Sequence, residues 1–125
     1  MNFLLDTHVF LWALGNPGRL SEKAVAALRS RRNAVFVSAV TSVEIAIKAA
    51  IGKLEAPTDL DDEIALRGFS HLPLRFQHGA GLRTLHPHHQ DPFDRMLIVQ
   101  ALAEGLTLIT HDRKFEKYPV DVLWT

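Results

Sequence analysis

Four carboxylates stand out by what precedes them in the chain. Asp6 ends the short apolar run Phe3-Leu4-Leu5, and Asp112 follows the apolar run Leu106 to Ile109 across Thr110-His111. Glu44 falls in the first turn of an apolar helix begun at Thr41, just after Val35-Phe36-Val37, and Asp94 falls in the first turn of a helix opened by Pro92. Unscreened carboxylates brought to one place repel and raise one another's pKa values, a cost that a bound divalent cation removes. Oxygen donors without any cysteine point to Mg²⁺, with Mn²⁺ as the other candidate, rather than to zinc. Each acid also has a plainer use. Thr41-Ser42-Val43-Glu44 has the S/T-x-x-E form of a capping box. In Asp91-Pro92-Phe93-Asp94, Asp91 suits the N-cap, proline the first helical position, and Asp94 the residue that reaches back. Asp6 and Asp112 can simply begin turns.

Convergence depends on the elements between these acids. Phe3 to Leu5 reads as a first strand, and Val9 to Leu14 as a helix stopped by Gly15-Asn16-Pro17-Gly18. Ser21 is an N-cap for Glu22 to Arg31, Val35 to Val37 is a second strand, and the helix from Thr41 runs to Gly52. Thr58 or Asp59 opens a helix through Leu66, His71 to Leu74 is a proline-marked edge strand, and Phe76 to Leu85 is a glycine-containing helix. Pro92 starts a helix that ends at Gly105, apolar nearly all round except for Gln100, and therefore buried. Leu106 to Ile109 and Val120 to Trp124 supply strands four and five. Continuous apolar strands alternating with helices predict a three-layer α/β/α domain on a parallel sheet, spanning residues 1–125 as one unit. Ligands of such sheets lie beyond the carboxyl ends of the strands, the edge where all four acids are expected.

Other chemistries find less support. His86-Pro87-His88-His89 offers imidazoles to a metal, but a proline-containing loop presents them irregularly, and a solvated loop is the simpler reading. His8, two residues after Asp6, replaces the second aspartate that a dehalogenase-type phosphatase needs. There is no G-x-G-x-x-G, no P-loop and no G-x-S-x-G.

Leu5-Asp6-Thr7-His8, Glu44-Ile45-Ala46-Ile47-Lys48, His89-Gln90-Asp91-Pro92-Phe93-Asp94-Arg95 and Thr110-His111-Asp112 together resemble the four motif blocks of PIN-domain ribonucleases, in particular the VapC-type toxins of toxin–antitoxin pairs. The likeness covers essentially the whole chain. It implies a sheet of about five strands in the order 3-2-1-4-5. Carried over by position, Asp6, Glu44, Asp94 and Asp112 match the acidic quartet that binds metal, and Thr110 the hydroxyl that supports it. Asp91 is present only in some branches of the family, and here it reads as the helix cap, with a contact to the site's surroundings as its further use. The resemblance implies Mg²⁺-dependent hydrolysis of RNA by a metal-activated water, leaving a 5′-phosphate and a 3′-hydroxyl. It also implies a cognate VapB-like antitoxin and a homodimer. Lys48, Arg95, Arg113 and Lys114 are the cations near enough in sequence to contact RNA phosphates, while Arg29, Arg31 and Arg32 belong far from the strand ends. Trp12 and Phe10 can stack a base or serve the core or a dimer interface. Two other functions use the same residues: a metal-dependent phosphatase acting on small phosphoesters, and a catalytically silent interaction module whose acids only cap helices.

Composition bounds these readings. The 125 residues are 47% hydrophobic and 22% charged, enough for one core and too little for two, and not a disordered composition. Fourteen basic and fourteen acidic residues give a net charge of +0, so any cationic surface for RNA must be local. The absence of cysteine excludes disulfides and thiolate chemistry. No basic leader and no run of roughly 18 apolar residues is present, so a soluble, cytoplasmic protein away from membranes is expected.

Overall fold

The structure is a computed structural model that describes all residues from Met1 to Thr125. Strands β1 (Asn2–Leu5), β2 (Ala34–Ser38), β3 (Ser70–Leu72), β4 (Thr107–Thr110) and β5 (Val122–Trp124) form one sheet in the order β3-β2-β1-β4-β5, every neighbouring pair parallel. Six helices connect them: α1 (Thr7–Gly15), α2 (Glu22–Arg29), α3 (Ala39–Ala50), α4 (Leu60–Leu66), α5 (Phe76–Thr84) and α6 (Pro92–Glu104). This is the α/β class read from the residue pattern and the strand order that the family resemblance implied. β3, whose next residue is Pro73, lies at an edge, where a missing N–H costs no ladder bond.

Side-chain alternation along the strands divides the core in two. Phe3, Leu5, Val35, Val37 and Ile109 face α1, α2 and α4, whereas Leu4 and Leu108 face α6 on the other side. Leu97 and Ile98 of α6 are wholly buried, each contributing about 2–3 kcal/mol of apolar transfer. The one polar residue in that stretch, Gln100, is also wholly buried and is satisfied at both ends: Ser38 Oγ donates to its Oε1 at 2.5 Å and its Nε2 donates to Pro73 O at 3.2 Å. Gln100 thereby ties the ends of β2 and β3 to α6. A Cβ on Gly81 would lie 2.7 Å from Val99 Cγ1, so glycine is what lets α5 approach α6. Gly105, at φ +67°, ends α6 in the left-handed conformation and turns the chain into β4.

One boundary differs from expectation in a way that matters for the site. α3 starts at Ala39, with Ser38 as N-cap accepting from Val40 N at 3.0 Å, not at Thr41. Glu44 therefore sits in the second turn, and the Thr41–Glu44 capping box does not form. Ser38 wins because its hydroxyl also satisfies Gln100, a partner 62 residues away that local sequence cannot reveal.

Candidate active site

The acids meet at the carboxyl edge of the sheet. Asp6, directly after β1, is buried; its Oδ1 caps α1 by accepting from Val9 N at 2.8 Å, and its Oδ2 accepts from Thr110 Oγ1 at the end of β4. Thr110 Oγ1 in turn accepts from Asp112 N at 3.0 Å. On the other side of Asp6, Thr7 Oγ1 donates to Glu44 Oε1 at 2.6 Å and lies 3.2 Å from Thr41 Oγ1. Glu44 is almost completely buried, an expensive place for a carboxylate, and its second oxygen accepts from Lys48 Nζ at 2.5 Å one turn along α3. The hydrogen bond to Glu44 raises the pKa of Lys48, aided by the negative charges of Asp91 and Asp94. Hydrogen bonds thus link Asp112 N–H to Thr110 and Thr110 to Asp6, and Thr7 to Glu44 and Glu44 to Lys48, the two sets being joined by the Asp6–Thr7 peptide bond.

Asp94 joins this group from α6. Asp91 is the N-cap, its Oδ1 accepting from Phe93 N at 2.8 Å and Asp94 N at 3.2 Å, with Pro92 at the first helical position. Asp94 does not reach back to complete a box: its Oδ2 pairs with His89 Nε2 at 2.8 Å. Burial pushes the Asp94 carboxyl up to about 6; the hydrogen bond from His89 opposes this, while the charges of Asp91 and Glu44 add to it. Asp6 is also raised, by burial first, against the hydrogen bonds from Thr110 and Val9 N–H. Burial is the first cause of both shifts, and only Asp94 is also raised by neighbouring carboxylates.

Donor chemistry suits a hard divalent ion, because every candidate ligand is a carboxylate oxygen and two of the carboxyls are costly to ionise as they stand. No three acidic or imidazole side chains form a ready-made metal cage. Each carboxylate instead has a protein partner: Lys48 for Glu44, His89 for Asp94, Thr110 for Asp6, and Lys114 N at 3.0 Å for Asp112.

The cations fall into different places. Lys48 is committed to Glu44. Arg95 is a clamp rather than a free cation, its guanidinium reaching the carbonyls of His86, His89, Leu82 and Leu85 and the Tyr118 hydroxyl at 3.1–3.4 Å. It thereby fixes the loop that carries His89. Arg113 is exposed, pairs with Glu116 at 3.1 Å and lies over the Trp124 ring, whereas Lys114 is exposed beside Asp112. Phe10 is buried in the core, which removes it as a base-stacking residue; Trp12 is only half-buried.

The model of the PIN domain family matches residues 3–121. The chain belongs to that family. Among solved structures, this PIN domain is similar to VapBC2 from Rickettsia felis, solved bound to a promoter DNA fragment (TM-score 0.73, 18% identity, 98% of each chain covered). It is also similar to DNA-bound VapBC from Salmonella typhimurium (TM-score 0.68, 18% identity, covering 98% of this chain and 97% of the other). FitAcB from Neisseria gonorrhoeae matches with a TM-score of 0.63 and 23% identity, covering 97% and 96%. No curated protein matches the chain by sequence. Two residues of this PIN-domain site escaped the sequence reading. Thr7 bridges towards Glu44 across 37 positions, and His89 holds Asp94 although its loop suggested solvation. Both lie inside the recognised motif blocks, so position within a block was the available signal.

Proposed function

We propose that this chain is a Mg²⁺-dependent endoribonuclease, with Mn²⁺ as a substitute, and the toxin of a type II toxin–antitoxin pair. The observation that carries this reading is the linked set Asp112–Thr110–Asp6–Thr7–Glu44, with Asp94 close enough to feel the charge of Glu44. Asp6, Asp94 and Asp112 would hold the ion, with Glu44 completing the site. When bound, a divalent ion supplies a Lewis acid that acidifies an attacking water and neutralises phosphate charge. The chain's own residues do the positioning. Thr110 holds the Asp6 carboxylate and, through Asp112 N–H, the turn after β4. Thr7 and Lys48 hold Glu44, and Asp91 sets the start of α6 so that Asp94 faces its neighbours. His89 shields one Asp94 oxygen and leaves the other for the site. No imidazole has to act as the base in this scheme.

The likeness to VapBC and FitAcB supports a small protein antitoxin as partner. Exposed Val43, Ile47 and Ile51, four residues apart along and just past α3, form an apolar stripe that supports a homodimer. Purified protein incubated with cellular RNA and Mg²⁺ should give internal cuts with 5′-phosphate ends, and chelation should stop them. Faster turnover of a generic phosphomonoester than of RNA would select the phosphatase. Neither activity, together with no rise in melting midpoint at millimolar metal, would select the silent module. At ~100 times its dissociation constant a ligand adds about 2.7 kcal/mol, several degrees for a domain of this size. Expression alone should slow growth, and co-expression with the antitoxin should restore it.

A further inference from the structure

Beside the acids lies a cluster of rings that the carboxylate network does not use. His8 follows Asp6 by two residues and His111 stands between Thr110 and Asp112, and both imidazoles are exposed. Trp12, one turn after His8 on α1, supports them: its ring centroid is 4.6 Å from that of His111 and 6.2 Å from that of His8, and the two imidazoles are 6.4 Å apart. The guanidinium of Arg19 lies 4.3 Å from the Trp12 ring, adding a cation to the same patch. Trp12 is half-buried against the core and braces the cluster, while His8, His111 and Arg19 are exposed. Both imidazoles lie close enough to Asp6 for their charge to be felt by its carboxyl.

We propose that His8, Trp12, His111 and Arg19 form a stacking platform for an unpaired nucleobase next to the scissile phosphate. The inference rests on the ribonuclease reading and extends it to the residues that would hold the base beside the cut, with that base splayed out of a helix. Three features favour a base over a protein side chain or a second copy of the chain. The patch borders the carboxylates, so a strand whose phosphate sits among Asp6, Asp94 and Asp112 brings its neighbouring base to these rings. Because the rings are tilted to one another by 47–78°, a base stacks on one exposed imidazole face and meets the other rings at their edges, a contact that any base can make. The adjoining cations Arg19 and Lys114 suit a phosphate backbone. A base paired within a duplex keeps its face covered and cannot use the platform.

The test separates base from backbone. Trp124→Phe leaves Trp12 as the sole tryptophan of the two, and in an Asp94→Asn background, which the reading makes non-cleaving, its fluorescence reports binding. The probes are a short single-stranded oligoribonucleotide and its abasic counterpart, both with Mg²⁺. The base-bearing strand should quench Trp12 and bind roughly tenfold or more tighter than the abasic one. His8→Ala/His111→Ala should erase most of that ratio, and His8→Phe/His111→Phe, which keeps aromatic faces without charge, should restore it. Equal affinity for both probes, or equal losses with Ala and Phe, would overturn the platform, the latter by showing that only charge matters. Melting curves confirm that each variant is folded. Cleavage by the unmodified chain is scored separately: RNA cut with no effect of removing bases rejects the platform alone, and no cut at all rejects the ribonuclease reading, while quenching still reports on the rings.

Discussion

The two edges of the sheet carry opposite charge, although the chain as a whole is neutral. At the carboxyl edge, Asp6, Glu44 and Asp94 are buried or nearly so and held by specific partners. At the amino edge, where the chain enters β2 and β3, Arg29, Arg31 and Arg67 border a cavity of about 890 Å³ floored by apolar side chains such as Leu20, Val25, Val35 and Phe69. None of the four carboxylates lines this cavity. Arg31 keeps its charged end at the rim, where water solvates it at little cost, whereas Arg67 is paired with Glu63 and donates to Leu14 O at 3.4 Å. Asp6 cannot escape, because the first residue after β1 is already inside, while α3 and α6 carry Glu44 and Asp94 to the same edge. Stored electrostatic cost, rather than cavity size, distinguishes the edge where chemistry is expected.

The hardest blow to that contrast is Asp94→Asn. The amide keeps the shape and a hydrogen bond to His89 but removes the charge, so RNA cleavage should fall by more than roughly 100-fold, since even groups that merely support metal ligands cost ~10–100-fold. The metal-free variant should melt no lower than the parent, and its stabilisation by Mg²⁺ should shrink. Single-turnover cleavage and paired melting curves measure both. Near-parental cleavage would remove Asp94 from the site.

A pH series sharpens the same point. Asp94 titrates near about 6 when folded against an ordinary 3.8, so between these values the folded chain binds more protons than the unfolded one. The stability this contributes is fully present below 3.8 and is lost as pH rises through about 6. At about 1.4 kcal/mol per unit, the effect is bounded at about 3 kcal/mol. Without metal, Asp94→Asn should therefore out-melt the parent at pH 8 and lose that lead towards pH 4. A lead independent of pH would show that Asp94 carries no ionisation penalty.

Lys48→Met tests the internal cation. It leaves the Glu44 carboxylate buried with Thr7 alone, and because Lys48 is about a third exposed the loss should lie between that of surface and buried pairs, about 1–2 kcal/mol in melting experiments without metal. Millimolar Mg²⁺ should recover part of it. Unchanged stability would mean that Glu44 is neutral or solvated.

Much of this contrast was readable from residue order alone. Apolar runs interrupted by Asp6 and Asp112 located the strands and their carboxyl ends, and the motif blocks carried the strand order and the quartet. What could not be read is which partner each polar group takes. The stretch from Ser38 to Ser42 offers three hydroxyls to cap α3, and only the buried amide of Gln100, brought by α6, decides for Ser38. Arg95 sits beside Asp94 in sequence and looked like a phosphate ligand, yet carbonyls of the preceding loop and the Tyr118 hydroxyl consume its donors. That same loop closure presents His89 to Asp94. Long-range hydrogen bonds choose among local options that propensity leaves equal.

The smallest expected effect is at the amino edge, and it tests whether the asymmetry is real. Arg31 lies at the exposed rim of the cavity, in the turn between α2 and β2, with no carboxylate within ion-pair distance. Its side chain supports no helix cap and no buried partner, so Arg31→Ser should change stability by no more than about 0.5 kcal/mol, the range of ordinary surface substitutions. Cleavage should stay within roughly twofold of the parent, because any field reaching the opposite end of a strand crosses more than a screening length of about 8 Å at physiological salt. Lowering the salt lengthens that reach to about 30 Å at 0.01 M, so a modest loss that emerges only in dilute buffer would identify long-range attraction of RNA. A large loss at physiological salt would instead mean that RNA contacts both edges, and the division of the molecule into an anionic working edge and a cationic rim would fail.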